Sequence, residues 1–328
     1  MTRVGIWPAL AVLMGLTLFT IVIAWLGWRD VIDALAQISV VGFVEYLLAQ
    51  SAIVVGLAMA WRVLLRNRNG GNFWLLFWGR LVRDAAGEFL PFSHLGGFVL
   101  GGRAITLGGV GFADAAASTL ADVTVEFLSE LVFITIGLVV LAVTLPGQRL
   151  ILPISIGLAI ALISGGTFVF VQQGGSRLFR ALATRIAGQS GDAAALRADR
   201  LQTALDEIYA EPYRLLGAGA LHLTCWFGTG VAGYVAFHAL GAHISLLQAI
   251  AIESMLHAIL AAGFFVPGRV GVQEAAYTLL GAAFGVPPDI ALSVSLLRRA
   301  RDLIIAVPVL LVWQGIEARR LHPISTRS

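Results

Sequence analysis

Apolar residues run along this chain in long unbroken stretches rather than in alternation, at 7–27, 43–65, 127–145, 150–171, 214–240 and 303–316. A hydrocarbon core of roughly 30 Å takes about 20 apolar residues per spanning helix. Six transmembrane helices are therefore expected. Between them lie two apolar regions of another kind, 73–111 and 245–287, interrupted by PFSHLGG (Pro91 to Gly97, with His94 and Gly96) and by PGRVG (Pro267, Gly268, Arg269, then Gly271). Backbone broken by proline and glycine cannot face lipid with unsatisfied polar groups, and survives at membrane depth only inside protein or beside water. Two re-entrant helical hairpins fit these regions better than four further crossings. The polar stretch 172–213 also has helical spacing, with Leu178, Leu182 and Ile186 on one face, Leu201, Leu205 and Ile208 on another, and GQSGD at 188–192 between them. It reads as an amphipathic helical hairpin lying against the membrane. About 40 residues are too few to bury a core of their own.

Composition agrees with this pattern. Hydrophobic residues make up 58% of the 328 positions, charged residues 12%, and the mean hydropathy is +0.87, outside the range of soluble domains. The first run lacks an A-x-A cleavage pattern and further spans follow it, so it is expected in the mature protein. All 22 basic residues are arginines, and they gather at Arg66 and Arg68, through 172–213, and in the tail at Arg319, Arg320 and Arg327. The opposite loops, 145–150 and 241–245, are nearly free of them. The positive-inside rule then puts these segments and both termini in the cytoplasm. The lone Cys225 excludes a disulfide framework and is expected to pack.

The chain also matches itself. AAGEFLP at 85–91 returns as AAGFFVP at 261–267, identical at five of seven positions. The same offset places Gly109 and Val110 on Gly285 and Val286, Ala115 on Ala291 and Leu120 on Leu296 without a gap. One repeat unit, 41–145, thus contains the re-entrant region 73–111, and a second, 213–317, contains 245–287. Around them stand a first span with its connection (1–40), a connecting span (146–172), the cytoplasmic hairpin (173–212) and a tail (318–328). Because the arginine-bearing loop precedes one re-entrant region and the uncharged loop the other, the two units are expected to be inverted. Interrupted segments in corresponding places of inverted halves are the pointer to a carrier's substrate site.

Charges inside the apolar runs supply candidate chemistry. Asp122, Glu126 and Glu130 recur every four residues on one helical face, and Ser118 continues the line. The offset maps Asp122 onto Arg298 and Glu126 onto Asp302, so facing closing helices would supply each other's counter-charges. Arg298 and Asp302 are also spaced for a local pair. Such groups form a structural charge lock or a functional polar path. Glu126 and Arg301 are expected to lie deep, and Arg299, on another face, to snorkel towards head groups. Arg269, Gln273 and Glu274 follow the second break and His94 the first, where each meets a head group or caps exposed backbone. Glu253 and His257, four apart, lack further ligands at metal spacing, so no metal is expected, and no cofactor. Phosphate-loop and G-x-S-x-G patterns are absent, so no enzyme activity and no nucleic-acid partner are expected.

The stretches VRDAAGEFLPFSHLGGFVLGGRAITLGGV with ADVTVEFL, and FVPGRVGVQEAAYTLLGAAFGVPPDIALSVSLLRRARDLI, resemble the transmembrane region of lysylphosphatidylglycerol synthetases, a flippase-like family, over nearly the whole chain. PGRVGVQE at 267–274 and LLRRARD at 296–302 look most like its branch associated with hopanoid biosynthesis. The resemblance implies a bacterial inner-membrane protein with two inverted re-entrant units that moves or presents a hopanoid or phospholipid between leaflets. The family's aminoacyl-transferring members carry a large soluble domain that these 328 residues do not include, so lysyl transfer is not expected. The expected protein is an all-α membrane lipid translocase, with Asp122, Glu126, Glu130, Arg298, Arg301 and Asp302 lining or gating the path. The other reading is a non-transporting scaffold that docks hopanoid-modifying enzymes on the 172–213 segment.

Overall fold

A computed structural model describes residues 38–65, 72–89, 93–145, 151–159, 162–163, 166, 191–262, 269 and 271–321, and the described residues are helical apart from short connections. Helix α1 spans Val40–Leu64, α2 Phe73–Phe89, α3 Ser93–Leu107 and α4 Phe112–Thr144. After a helical stretch at 151–159 come α5 (Gly191–Tyr209), α6 (Pro212–Ala239), α7 (Leu246–Ala262), α8 (Val272–Ala283) and α9 (Pro288–Leu321). The ends follow local chemistry. The Ser39 hydroxyl accepts the Gly42 N–H at 3.1 Å to start α1, α6 and α9 open on prolines, and Asp289 and Arg319 complement the dipole of α9 at its two ends.

Helices α1, α4 and α6 are each long and apolar enough to cross a membrane. Of the other runs expected to span, 303–316 forms the later part of α9, 150–171 is described only in part, and 7–27 lies outside the described residues. Pro91, Pro267 and Gly268 also lie outside them, as do the side chain of His94 and the first face of the cytoplasmic segment.

The order α1–α2–α3–α4 recurs as α6–α7–α8–α9, and the spacing is kept closely at the second half of each unit. Helix α4 begins at Phe112 and α9 at Pro288, 176 positions later. The turns before them agree bond for bond. Val110 N–H donates to Ile105 C=O at 3.2 Å and Val286 N–H to Gly281 C=O at 2.9 Å, while Gly109 (φ +103°) and Gly285 (φ +77°) take the left-handed conformation between. Glycine is used there because that conformation is strained for any residue with a Cβ.

Small residues set the tightest contacts. A Cβ on Gly97 would stand 3.0 Å from the Gly87 nitrogen, and one on Gly101 3.0 Å from the Gly79 carbonyl, so α2 and α3 form a close antiparallel helical hairpin. Helices α1 and α6 also run antiparallel, with Gly42 against Ala239 and Gly56 against Cys225. Cys225 is buried there and its thiol reaches the Ile53 carbonyl at 3.6 Å. Between the units the packing is crossed: α2 lies on α9 through Val82, Ala85, Ala306 and Val309, and α7 lies on α4. Helix α5 is docked by Leu205 and Ile208 against Leu64, Ala117, Ala121 and Ala218, so its apolar face is turned into the protein body.

Candidate functional site

The crossed packing encloses a cavity of about 520 Å³ whose walls come from α2, α4, α7 and α9, with Phe98 of α3 and Trp226 of α6. Its ionisable lining consists of Arg80, Arg83, Asp84, Glu88, Glu126, Glu130, His257, Arg269, Arg298, Arg301 and Asp302: five arginines, five carboxylates and one imidazole. Apolar walls with a few convergent polar groups are the usual build of a ligand site.

One wall is an ion network. Arg80 grips Glu126 with both terminal nitrogens, at 3.1 and 2.6 Å, and its Nε donates to Asp84 at 2.9 Å. Arg83 donates to Asp122 Oδ2 at 2.5 Å and also to Glu126, and its guanidinium lies 4.8 Å from the centre of the Phe98 ring. Behind them, His222 Nε2 meets Asp122 Oδ1 at 2.9 Å, with both side chains fully buried. The Trp226 indole donates to the Glu126 carbonyl at 3.3 Å and fixes that wall to α6. Bidentate and charge-assisted pairs of this kind are what allow ions to persist away from water.

The opposite wall repeats the arrangement with its signs exchanged. Arg298 on α9 donates to Glu253 on α7 at 2.8 Å, and the Tyr277 hydroxyl donates to the other oxygen of Glu253 at 2.6 Å. In the first unit the closing helix is acidic and the hairpin basic; in the second the closing helix is basic and the hairpin acidic.

The expected pairing between the two closing helices is therefore corrected. Asp122 and Glu126 take their counter-charges from Arg80 and Arg83 of their own unit's hairpin, and Arg298 takes Glu253 of its own. The local pair is corrected too: Asp302 binds its neighbour Arg301 at 3.0 Å. Arg299 does not snorkel. It is 6% exposed and donates to Glu274, because it turns towards α8 rather than outward.

The remaining expected residues divide between cavity and framework. Glu126, Glu130, Arg298, Arg301, Asp302, Arg269 and Gln273 line the cavity, whereas Asp122 stands behind its wall. Gln273 is also held by Ser295, donating to its carbonyl and its hydroxyl, each at 3.1 Å. Glu274 caps α8, accepting the Gly271 N–H at 2.8 Å. Gly97 is a packing position and Gly96 its half-buried neighbour. Ser118 accepts the Trp61 indole N–H at 3.3 Å. Glu130 faces His257 Nδ1 at 3.4 Å, and that imidazole stands edge-on to Trp226, 4.6 Å between ring centres.

Asp122, Glu126 and His222 bring three potential metal-ligand atoms within 4.8 Å of one another. The carboxylates, however, face the guanidinium groups of Arg80 and Arg83, which fill the place a cation would take. The ligand types themselves would suit a metal, but with both carboxylates paired to arginines they are not free to bind one in this arrangement.

Sequence reasoning missed Arg80, Arg83 and Asp84 as site residues, along with His222 and Trp226. A signal for the first three was present: RLVRD puts three charges at i, i+3 and i+4 on one face of FWLLFWGRLVRDAAGEF, whose one other charge, Glu88, follows a turn later. His222 and Trp226 carry no comparable signal, because a single polar residue in a spanning helix is placed only by the fold.

A helical body with membrane-length apolar helices around a charged internal cavity defines a multi-pass membrane protein. Residues 12–309 match the family described as the lysylphosphatidylglycerol synthase TM region, and the chain belongs to that family. No curated protein matches it. A membrane- and lipid-related role follows at the level of the family.

Proposed function

We infer that this protein is a membrane lipid carrier of the flippase type, which moves a hopanoid or phospholipid between the leaflets of the bacterial inner membrane. The observation that carries the reading is the cavity itself: one charged chamber, about 520 Å³, walled by hairpin and closing helices of both units in a protein of a lipid-related family. Its polar interior suits a head group while the tails remain in lipid. The antiparallel packing of α1 and α6 and the bond-for-bond repeat of the turns before α4 and α9 support an inverted repeat with two re-entrant hairpins. Six crossings with both termini in the cytoplasm complete the reading. In the scaffold alternative the segment containing α5 would dock hopanoid-modifying enzymes; the burial of α5's apolar face against α4 and α6 favours the carrier.

The test is leaflet exchange of fluorescent lipids in proteoliposomes. Ala261→Trp, which fills the cavity from an exposed position on α7, is expected to abolish most of the exchange in folded protein. Glu126→Gln, which loosens the head-group wall, is expected to reduce it. Undiminished exchange by folded Ala261→Trp protein would move the path elsewhere.

A further inference from the structure

The first wall of the cavity has a charge that does not close. Three carboxylates, Asp84, Asp122 and Glu126, share two guanidinium groups, Arg80 and Arg83, so the connected network stands at minus one when His222 is neutral. On the opposite side three pairs balance one to one, Arg298 with Glu253, Arg301 with Asp302 and, behind the wall, Arg299 with Glu274, and Arg269 adds a further cation to the lining. His222 carries a second sign of the same imbalance. It is fully buried, its Nε2 faces Asp122, and its Nδ1 has no hydrogen-bond partner among the described residues. A buried orphan ring nitrogen is costly to keep unless it has a task.

We propose that the Asp84–Arg80–Glu126–Arg83–Asp122–His222 network is a proton-binding site, and that the carrier exchanges a lipid of zero net charge only while that site holds its proton. The proposal rests on the carrier reading above. An uncompensated ion is expensive in a low-dielectric interior, and rearranging the helices around it is harder than rearranging a neutral network. One proton cancels the surplus. It comes from cavity water and is taken by Asp84, whose side chain is 38% exposed and lines the cavity; on release it returns to the same water. The other charged and titratable groups facing the network are Glu88 on α2, Glu130 on α4, His257 on α7, Arg298, Arg301 and Asp302 on α9, and Arg269. The Cys225 thiol on α6 points to the Ile53 carbonyl. Glu130 with His257 forms a second carboxylate–imidazole pair on the same cavity, 3.4 Å apart and outside the arginine-linked network.

The experiment measures leaflet exchange of acyl-labelled phosphatidylethanolamine, a zwitterion of zero net charge, by the full-length protein in proteoliposomes from mildly acidic to mildly alkaline pH. Wild-type exchange is expected to fall as pH rises, about tenfold per pH unit beyond the midpoint, the slope of a single proton. Asp84→Asn removes the surplus charge without removing a side-chain acceptor for Arg80, so its exchange is expected to be nearly flat over the same range. The ratio of rates across pH is read within each protein, so a change in absolute rate does not decide the outcome. A flat wild-type profile, or an Asp84→Asn profile with the wild-type slope, overturns the proposal and leaves the carrier reading standing. Absence of exchange of this lipid at every pH overturns the proposal, and exchange of a labelled hopanoid in the same proteoliposomes then tests the carrier reading by itself. If Asp84→Asn does not fold, infrared difference spectra of wild type across the pH step decide: a protonated-carboxyl carbonyl band must lose intensity in parallel with the exchange rate, and an unchanged band overturns the proposal.

Discussion

At the scale of single residues, the arginines of α2 hold the cavity together. Arg83 is 5% exposed and bridges Asp122 to Glu126, so Arg83→Gln leaves the buried Asp122 and the partly buried Glu126 each short of a partner. A loss of about 3–5 kcal/mol is expected, the usual result of breaking a buried pair from one side, measured by unfolding in detergent. Arg103→Gln, which removes the partly exposed pair with Glu317, is expected to cost under about 1 kcal/mol in the same assay, because water screens it. Equal losses would show that Arg83 is not desolvated. The acidic line Asp122–Glu126–Glu130 was legible in the sequence, since spacing by four is a property of one helix. Its partners were not legible. The equivalence of Asp122 and Arg298 under the repeat suggested that they meet, but positions equivalent in two units are related by the repeat, and nothing in that relation puts them in contact.

Elements are shaped by where glycine is needed and for which reason. Gly109 and Gly285 have open space around an added Cβ, so only their positive φ is at stake. Gly109→Ala and Gly285→Ala are each expected to cost about 1 kcal/mol, and by similar amounts, because the two turns make the same bonds. Gly97→Leu meets the backbone of α2 instead and is expected to cost about 1–3 kcal/mol or more by separating the hairpin. Thermal unfolding of the three variants side by side checks the order. Boundaries of this kind were largely readable: 73–111 and 245–287 do contain paired shorter helices, and 191–209 begins at the break seen in GQSGD. The direction of α5's apolar seam was not readable, because amphipathicity gives a face without naming what covers it. Leu205 and Ile208 pack against protein where a membrane surface was expected.

On the scale of the whole molecule, two units interlock through crossed contacts, α2 on α9 and α7 on α4, and the cavity is what remains between them. Carrier action requires one hairpin to shift against the other unit's closing helix. Cysteines at positions 103 and 317, in a Cys225→Ala background, can be bridged by a reducible bifunctional thiol cross-linker that spans the reach of the Arg103–Glu317 pair and joins α3 to α9. Cross-linking is expected to stop lipid exchange and reduction to restore it; exchange that continues through the cross-link would place the motion elsewhere. The central claim, that a lipid head group occupies the chamber, is tested most directly by mass spectrometry of lipids retained by gently purified wild-type and Ala261→Trp proteins, each compared with the bulk membrane extract. Enrichment of one lipid class on wild type, and its loss from the cavity-filled variant, is the predicted result. A retained lipid profile that matches the bulk membrane in both proteins would contradict it.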